Sequence, residues 1–198
     1  MATVRVLLAL AAFEDLHLRS IDVSTAFLNG DLDEEIYMKQ PEGFQEGGPE
    51  WVLRLLKSIY GLKQSARQWN KKLHSVLVKM GFARLESEHS IYVYRRGAVR
   101  IIMPVFVDDL TLASSDQQAM DDFVMELGTH FDIRDLGDTS LLLGIEILRD
   151  RPNRSISLSQ RHYIVDLLQR YNMADCNPVS TPIDPSALLK AIGQRRTV

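Results

Sequence analysis

Residues 105–110 form an apolar, strand-forming stretch that is interrupted by two adjacent acidic residues, Asp108 and Asp109. An ionised carboxylate in apolar surroundings is costly unless a positive charge lies beside it, and two adjacent carboxylates also repel each other. The apolar residues on both sides predict two strands joined by a tight turn that carries the aspartates. The stretch therefore indicates a metal-binding hairpin or an Asp-rich surface turn, since Asp is common in turns. These six residues leave both interpretations open.

The composition is that of a globular chain, with 45% hydrophobic and 25% charged residues over 198 positions, enough for one sizeable core or two small ones. No apolar run approaches the roughly 18 residues that span a bilayer, so we expect no membrane partner. The single cysteine, Cys176, excludes an internal disulfide and a multi-cysteine zinc site. The first residues lack the basic leader of a signal peptide. We therefore expect an intracellular protein, cytoplasmic or nuclear.

The net charge of -3 conceals a segregation of charge along the chain. Between Glu14 and Glu50 there are ten acidic residues and only two basic ones, Arg19 and Lys39. Residues 51–85 contain no acidic residue but eight basic ones: Arg54, Lys57, Lys63, Arg67, Lys71, Lys72, Lys79 and Arg84. Such a basic block can contact a phosphate backbone, although charge alone equally describes a solvated helix face, which is the commoner case.

Hydrophobic spacing predicts helices and their ends. Helices are expected over 4–13, over 66–80 with Gly81 ending it, after a capping-box signature at Ser115 and Gln118 as far as Gly128, and after Ser159. From Asn172 onward the pattern dissolves into prolines, including Pro182 and Pro185, which is typical of a linker.

Strands are predicted over 18–23, 36–38, 91–94, 99–107, 110–113, 141–148 and 155–158. Asp22 lies near the end of the first strand, and Asn29-Gly30 is a strong turn signal because both residues tolerate positive φ. The order of elements predicts an α+β fold with an antiparallel sheet covered by helices on one side. A smaller C-terminal unit is expected from about Asp138.

Several motifs closely resemble the reverse transcriptase of copia-type LTR retrotransposons. They are IDVSTAFLNG (21–30), DLDEEIYMKQPEGF (31–44), SIYGLKQSARQW (58–69), FVDD (106–109), LGIEI (143–147) and SQRHYI (159–164). The resemblance continues to about Pro182 and so covers nearly the whole chain in order. It implies a right-hand polymerase architecture, with a palm and partial fingers over 1–137, a primer-grip hairpin and the start of a thumb over 138–182, and no recognised pattern over 183–198.

The resemblance also implies a catalytic centre. Asp22 and Asp108 would be direct ligands of two Mg²⁺ ions, with Mn²⁺ as a substitute, and Asp109 would support the same metal site. Nucleotidyl transfer needs one metal to activate the primer hydroxyl and another to neutralise the leaving pyrophosphate. Taken alone, Asp22 is more often a strand-end or turn residue, so the implication depends on its partnership with Asp108.

By the same resemblance, Phe27 would lie under the incoming sugar and reject a 2′-hydroxyl, whereas in isolation it is read as core packing beside Ala26. The expected nucleotide-binding and template-binding segment comprises Tyr60, Gly61, Lys63 and Gln64, where Gly61 would allow close backbone approach. The expected primer grip comprises Leu143, Gly144, Ile145 and Glu146, which without the resemblance is an ordinary β-hairpin.

Two functions are compatible with these motifs. One is an RNA-directed DNA polymerase that binds a primer on an RNA or DNA template and adds deoxynucleoside triphosphates. The other is a catalytically inactive, truncated retroelement remnant that at most binds nucleic acid. The chain begins inside the family pattern, so we expect it to lack the preceding basic fingers strands. The ribonuclease H and integrase regions of the parent polyprotein are also expected to be absent from this chain.

Overall fold

The computed structural model describes residues 2–48 and 50–180 of the chain. In this part the helices are α1 (Ala2–Phe13), α2 (Ser65–Lys79), α3 (Gln117–Gly128) and α4 (Arg161–Arg170), with a short 3₁₀ helix at Ala26–Asn29. The strands are β1 (His17–Val23), β2 (Tyr37–Lys39), β3 (Val52–Arg54), β4 (Phe82–Arg84), β5 (Ile91–Arg96), β6 (Val99–Phe106), β7 (Asp109–Ser114), β8 (Ile133–Asp138), β9 (Leu141–Leu142), β10 (Ile145–Asp150) and β11 (Ser155–Ser159).

The chain divides into two compact units, the first ending at Ser159 and the second beginning at Gln160 and containing α4. The functional assignment of 1–137 and 138–182 remains a prediction. The tail at 183–198, together with Pro182 and Pro185 of the expected linker, lies outside the described residues. No helix in the described ranges is long and apolar enough to cross a membrane.

The first unit is built on a six-stranded sheet with the order β4-β5-β6-β7-β1-β8. Its strand pairs are antiparallel, which confirms the predicted α+β class. The order places β1 between β7 and β8, so the predicted strand around Asp22 adjoins the strand that begins at Asp109. Strand β8 was not predicted, because its sequence mixes charged residues with Gly137 and shows little apolar alternation.

Both faces of this sheet are covered by helices, so the expectation of helices on one side is wrong. Leu112 packs in a core with residues of α2 and α3, whereas its neighbour Ala113 packs with Leu7, Leu8 and Ala11 of α1. Successive strand residues point to opposite faces, so α1 lies on the face opposite α2 and α3. The continuous burial of Leu110–Ser114 follows from this two-sided packing.

Three local predictions need correction. The N-cap of α3 is Asp116, whose side chain accepts a hydrogen bond from the amide of Ala119 at 3.0 Å, and not Ser115. The N-cap position of α4 is Gln160, one residue after Ser159. The strand predicted over 141–148 is split by a turn at Leu143 and Gly144, which have φ values of 51° and 76°.

Gly30 is required for a different reason from the one expected. Its φ of -75° is ordinary, so positive φ does not explain the glycine. A Cβ built there would lie 2.5 Å from Oγ of Ser58, and 3.0 Å from both the backbone nitrogen of Trp69 and the Cβ of Gln68. Gly30 therefore permits the close approach of the backbone after the 3₁₀ helix to Ser58 and to α2.

Candidate active site

The two aspartates lie on the hairpin between β6 and β7, as predicted. Asp109 is the first residue of β7 and pairs with Phe106, while Val107 and Asp108 form the turn. We call residues 106–109 the aspartate hairpin. Val107 has a φ of 59°, a left-handed conformation that is rare for a β-branched residue.

Two hydrogen bonds attach the turn of this hairpin to other elements. The indole Nε1 of Trp69, on α2, donates to the carbonyl oxygen of Val107 at 2.7 Å. The amide of Val23, at the end of β1, donates to the carbonyl oxygen of Asp108 at 2.9 Å. The turn is therefore tied through its backbone to the helix on one side and to the strand of Asp22 on the other.

Asp22 lies in a row of charged residues across three strands. It is directly opposite Asp109 on β7 and directly opposite Arg134 on β8, and opposed residues on antiparallel strands have neighbouring side chains on one face. Arg134 donates to Oδ2 of Asp22 from Nε at 3.0 Å and from Nη2 at 2.7 Å. The Asp22 side chain is 18% exposed and the Arg134 side chain 72% exposed.

The electrostatics of this row reflect an excess of negative charge. Partial burial, then the charge of Asp108 and that of Asp22, raise the pKa of Asp109 above its ordinary value. Carboxylates that disfavour each other's ionised form are suited by charge and by donor type to a divalent cation. The residues present therefore fit such an ion chemically.

The arrangement itself is not that of a formed metal centre. Across residues 2–48 and 50–180, no three or more His, Cys, Asp or Glu side chains are grouped so that they could hold a metal ion. The Asp22 carboxylate is instead engaged by Arg134. Arg134 binds only Oδ2 of Asp22, so a metal ion shared by the three aspartates would compete with the guanidinium for this carboxylate.

The predicted nucleotide-binding residues are only partly brought together. The rings of Phe27 and Tyr60 are in contact, with centroids 4.6 Å apart. Gly61 has a φ of 96°, and a Cβ added to it would meet no atom of the described chain within 4 Å, so the glycine is needed for its conformation. Lys63 is exposed, and Gln64 donates to Oε1 of Glu34 at 2.9 Å.

The predicted primer grip forms a hairpin, with Leu143 and Gly144 in the turn between β9 and β10. Ile145 pairs with Leu142, and Glu146 pairs with Leu141. Leu143 lines a cavity of about 700 Å³ that is also lined by Phe106 and Asp109. The structure therefore places this turn and the aspartate hairpin around one cavity.

Half of the basic block is paired within the chain. Arg54 pairs with Glu35, Lys57 and Lys72 with Asp31, and Lys71 with Asp33. Four of the eight basic residues are thus bound by the acidic segment at 31–35. The paired residues are neither free to bind phosphate nor simply solvated, whereas Lys63, Arg67 and Lys79 are exposed, so both interpretations stay open for them.

Sequence reasoning did not assign a role at the site to Trp69 or Arg134. Trp69 follows the apolar spacing of α2, and that pattern alone indicates a core residue. Arg134 belongs to the strand that was not predicted, and no local pattern distinguishes it from other exposed arginines.

Residues 1–185 match the family model described as reverse transcriptase (RNA-dependent DNA polymerase). The chain is 42% identical over 185 residues to the retrovirus-related Pol polyprotein from transposon TNT 1-94 of Nicotiana tabacum, covering 92% of this chain and 14% of that protein. It is 37% identical over 188 residues to the Pol polyprotein from transposon RE1 of Arabidopsis thaliana, covering 94% and 13%. The chain thus spans about a seventh of the length of these relatives.

Proposed function

The chain belongs to the reverse transcriptase family of copia-type retrotransposon Pol polyproteins, and we propose on that premise that it extends a primer on an RNA or DNA template with deoxynucleoside triphosphates. The observation that carries the proposal is the pairing of Asp22 with Asp109 on adjacent strands, with Asp108 in the turn. Carboxylates on neighbouring strands are the kind of metal ligand that this reaction uses.

Asp22, Asp108 and Asp109 are the residues that would hold the divalent metals used by this family, in the proposal two Mg²⁺ ions or Mn²⁺ in their place. When bound, the metals would activate the primer 3′-hydroxyl and neutralise the leaving pyrophosphate. The protein holds Asp108 through its backbone, by the bond from Val23 to its carbonyl oxygen. Arg134 binds Oδ2 of Asp22, and a bound metal would compete with it for this carboxylate.

The substrates are proposed to bind on either side of these aspartates. Phe27, supported by Tyr60, would lie beneath the incoming sugar, with Gly61, Lys63 and Gln64 on the same segment. On the other side, the turn formed by Leu143, Gly144, Ile145 and Glu146 would hold the primer, because Leu143 and Asp109 line the same cavity. The assignment of 1–137 to palm and partial fingers, and an intracellular location, belong to the same proposal.

The second candidate is an inactive copy that at most binds nucleic acid. It is favoured by the engagement of Asp22 by Arg134 and by the pairing of the basic block with the acidic segment. Arg134 would compete with a metal ion at Asp22, and the paired lysines are less available to phosphate groups.

Primer extension on an RNA template with Mg²⁺ or Mn²⁺ separates the two candidates. The chain is compared with Asp108→Asn and with Asp150→Asn, which removes a carboxylate that binds Asn153 in the turn after β10. Extension that is lost in the first variant and kept in the second supports the polymerase. A folded chain that binds primer-template but extends no primer would identify the inactive copy.

A further inference from the structure

We infer that Trp69 is a positioning residue, whose indole N–H fixes the turn that carries Asp108. The inference rests on the proposed function only in assigning catalysis to the aspartate hairpin. The contact is the 2.7 Å hydrogen bond from Nε1 to the carbonyl oxygen of Val107. Trp69 does not belong to the acidic group itself, so it acts through the backbone of the hairpin.

The turn needs stabilising contacts from other elements because Val107 adopts an unfavourable backbone conformation. Val107 has a φ of 59°, and the left-handed region is strongly disfavoured for a β-branched residue. Burial of the side chains compensates only in part, since Val107 is 40% exposed and its neighbour Phe106 is 60% exposed. Hydrophobic packing of these two side chains therefore holds the tip of the hairpin only in part.

Hydrogen bonds from neighbouring elements to the backbone of the turn stabilise its conformation. The carbonyl of Val107 accepts from Trp69 and the next carbonyl, that of Asp108, accepts from Val23 on the strand of Asp22. Two consecutive carbonyls of one turn are thus fixed from α2 and from β1. These bonds set both the conformation of the turn and its place beside Asp22.

The indole is itself firmly held. Trp69 is 2% exposed and packs edge-on against Phe131, with ring centroids 5.1 Å apart. A buried indole N–H that lost its acceptor would be left unsatisfied, which disfavours any rotation away from Val107. The hydrogen bond from this buried indole therefore restrains the exposed turn.

The test compares Trp69→Phe, which keeps an aromatic ring but removes the donor, with Tyr92→Phe. Tyr92 is buried in the same core, and its hydroxyl contacts Nδ1 of His74 rather than the hairpin. Amide hydrogen exchange of residues 105–110 is measured in the whole chain. We expect exchange there to be about threefold to tenfold faster in Trp69→Phe, the effect of one hydrogen bond, and unchanged in Tyr92→Phe.

A rescue variant separates a positioning role from a general loss of stability. Asn tolerates the left-handed region, so Val107→Asn added to Trp69→Phe should return the exchange rates toward those of the original chain. Unaltered exchange in Trp69→Phe, exchange that rises equally in Tyr92→Phe, or failure of the rescue would overturn the inference.

Kinetics give an independent readout. In a chain that extends primers, Trp69→Phe should lower kcat about threefold to tenfold with little change in the nucleotide KM, since the residue positions the acidic group without binding substrate. A raised KM with unchanged kcat would contradict this role. If the original chain extends no primer, the proposed function fails, while the exchange measurement still decides whether Trp69 holds the hairpin.

Discussion

Arg134 and Asp22 face each other across β8 and β1, and the guanidinium makes two hydrogen bonds to a single carboxylate oxygen, at 3.0 and 2.7 Å. The carboxylate proposed as a metal ligand thus has a cation supplied by the chain itself. Because Arg134 is mostly exposed, the pair is of the weak, solvent-screened kind. Displacement of Arg134 by a divalent ion is therefore energetically accessible.

Removal of this guanidinium should strengthen metal binding. For Arg134→Gln we expect Mn²⁺ affinity to rise about twofold to fivefold, since an exposed ion pair is worth at most about 1 kcal/mol. Calorimetric titration with Mn²⁺ measures the change, and Arg96→Gln, an exposed arginine at the end of β5, is the control. Equal or weaker binding by Arg134→Gln would mean that Arg134 does not compete with the ion.

Neutralisation of the acidic segment should release the basic block for nucleic acid. The double variant Asp31→Asn with Asp33→Asn removes the partners of Lys57, Lys71 and Lys72. Its affinity for a primer-template should increase up to about tenfold at low salt, and the gain should shrink as added salt screens the charges.

Filter binding over a salt series measures this effect. The matched control is Glu42→Gln with Glu46→Gln, which removes the same amount of charge from the exposed loop that follows β2. An equal gain in the control would attribute the effect to net charge rather than to the freed lysines.

Phe27 should control the choice of sugar. Replacement by Val removes the ring that contacts Tyr60. Because the smaller side chain would leave room for the 2′-hydroxyl of a ribonucleotide, the ratio of ribonucleotide to deoxynucleotide incorporation should rise by at least about tenfold. Single-nucleotide extension assays measure the ratio, with Phe44→Val on an exposed loop as control. An unchanged ratio in an active variant would leave Phe27 as a packing residue.

Gly30→Ala should destabilise the chain by about 1–3 kcal/mol, because the added methyl group would lie 2.5 Å from Oγ of Ser58 and 3.0 Å from the backbone nitrogen of Trp69 on α2. Gly128→Ala is the matched control, since its Cβ would make an ordinary 3.7 Å contact with Ile133. Urea unfolding compares the two variants. A similar decrease in the free energy of unfolding in both variants would show that the short distances around Gly30 do not explain its effect.

The ion cluster of Arg19 predicts a dependence of stability on pH. The guanidinium of Arg19 binds Asp135 and Asp121, and its hydrogen bond holds the pKa of Asp135 below the ordinary value of 3.8. A lowered folded-state pKa stabilises the fold above pH 3.8, and this contribution is lost as the pH falls through the folded-state value.

Asp135→Asn should therefore lower the unfolding temperature at pH 7, by the equivalent of less than about 1 kcal/mol because the group is partly exposed. The difference from the original chain should shrink as the pH falls below 3.8. Thermal unfolding at several pH values measures it, and Glu42→Gln on an exposed loop is the control. A difference that persisted undiminished at low pH would exclude the ion pair as its cause.

The sequence by itself determined the elements that local patterns encode. Apolar residues on both sides of the paired aspartates located the hairpin at 105–110, and apolar spacing with Gly81 located α2, whose observed bounds differ by one residue from those predicted. These features depend on residues close together in the chain, where side-chain periodicity and turn chemistry act directly.

Only the tertiary structure decided which distant residues meet at the site. Arg134 reaches Asp22 across 112 positions, and Trp69 reaches Val107 across 38. The residues next to Arg134, on an irregular edge strand, do not predict its contact with Asp22. The residues next to Trp69, on a helix, do not predict its contact with Val107. Partner choice at this range is set by strand order and helix packing, which minimise the free energy of the whole chain rather than of any one segment.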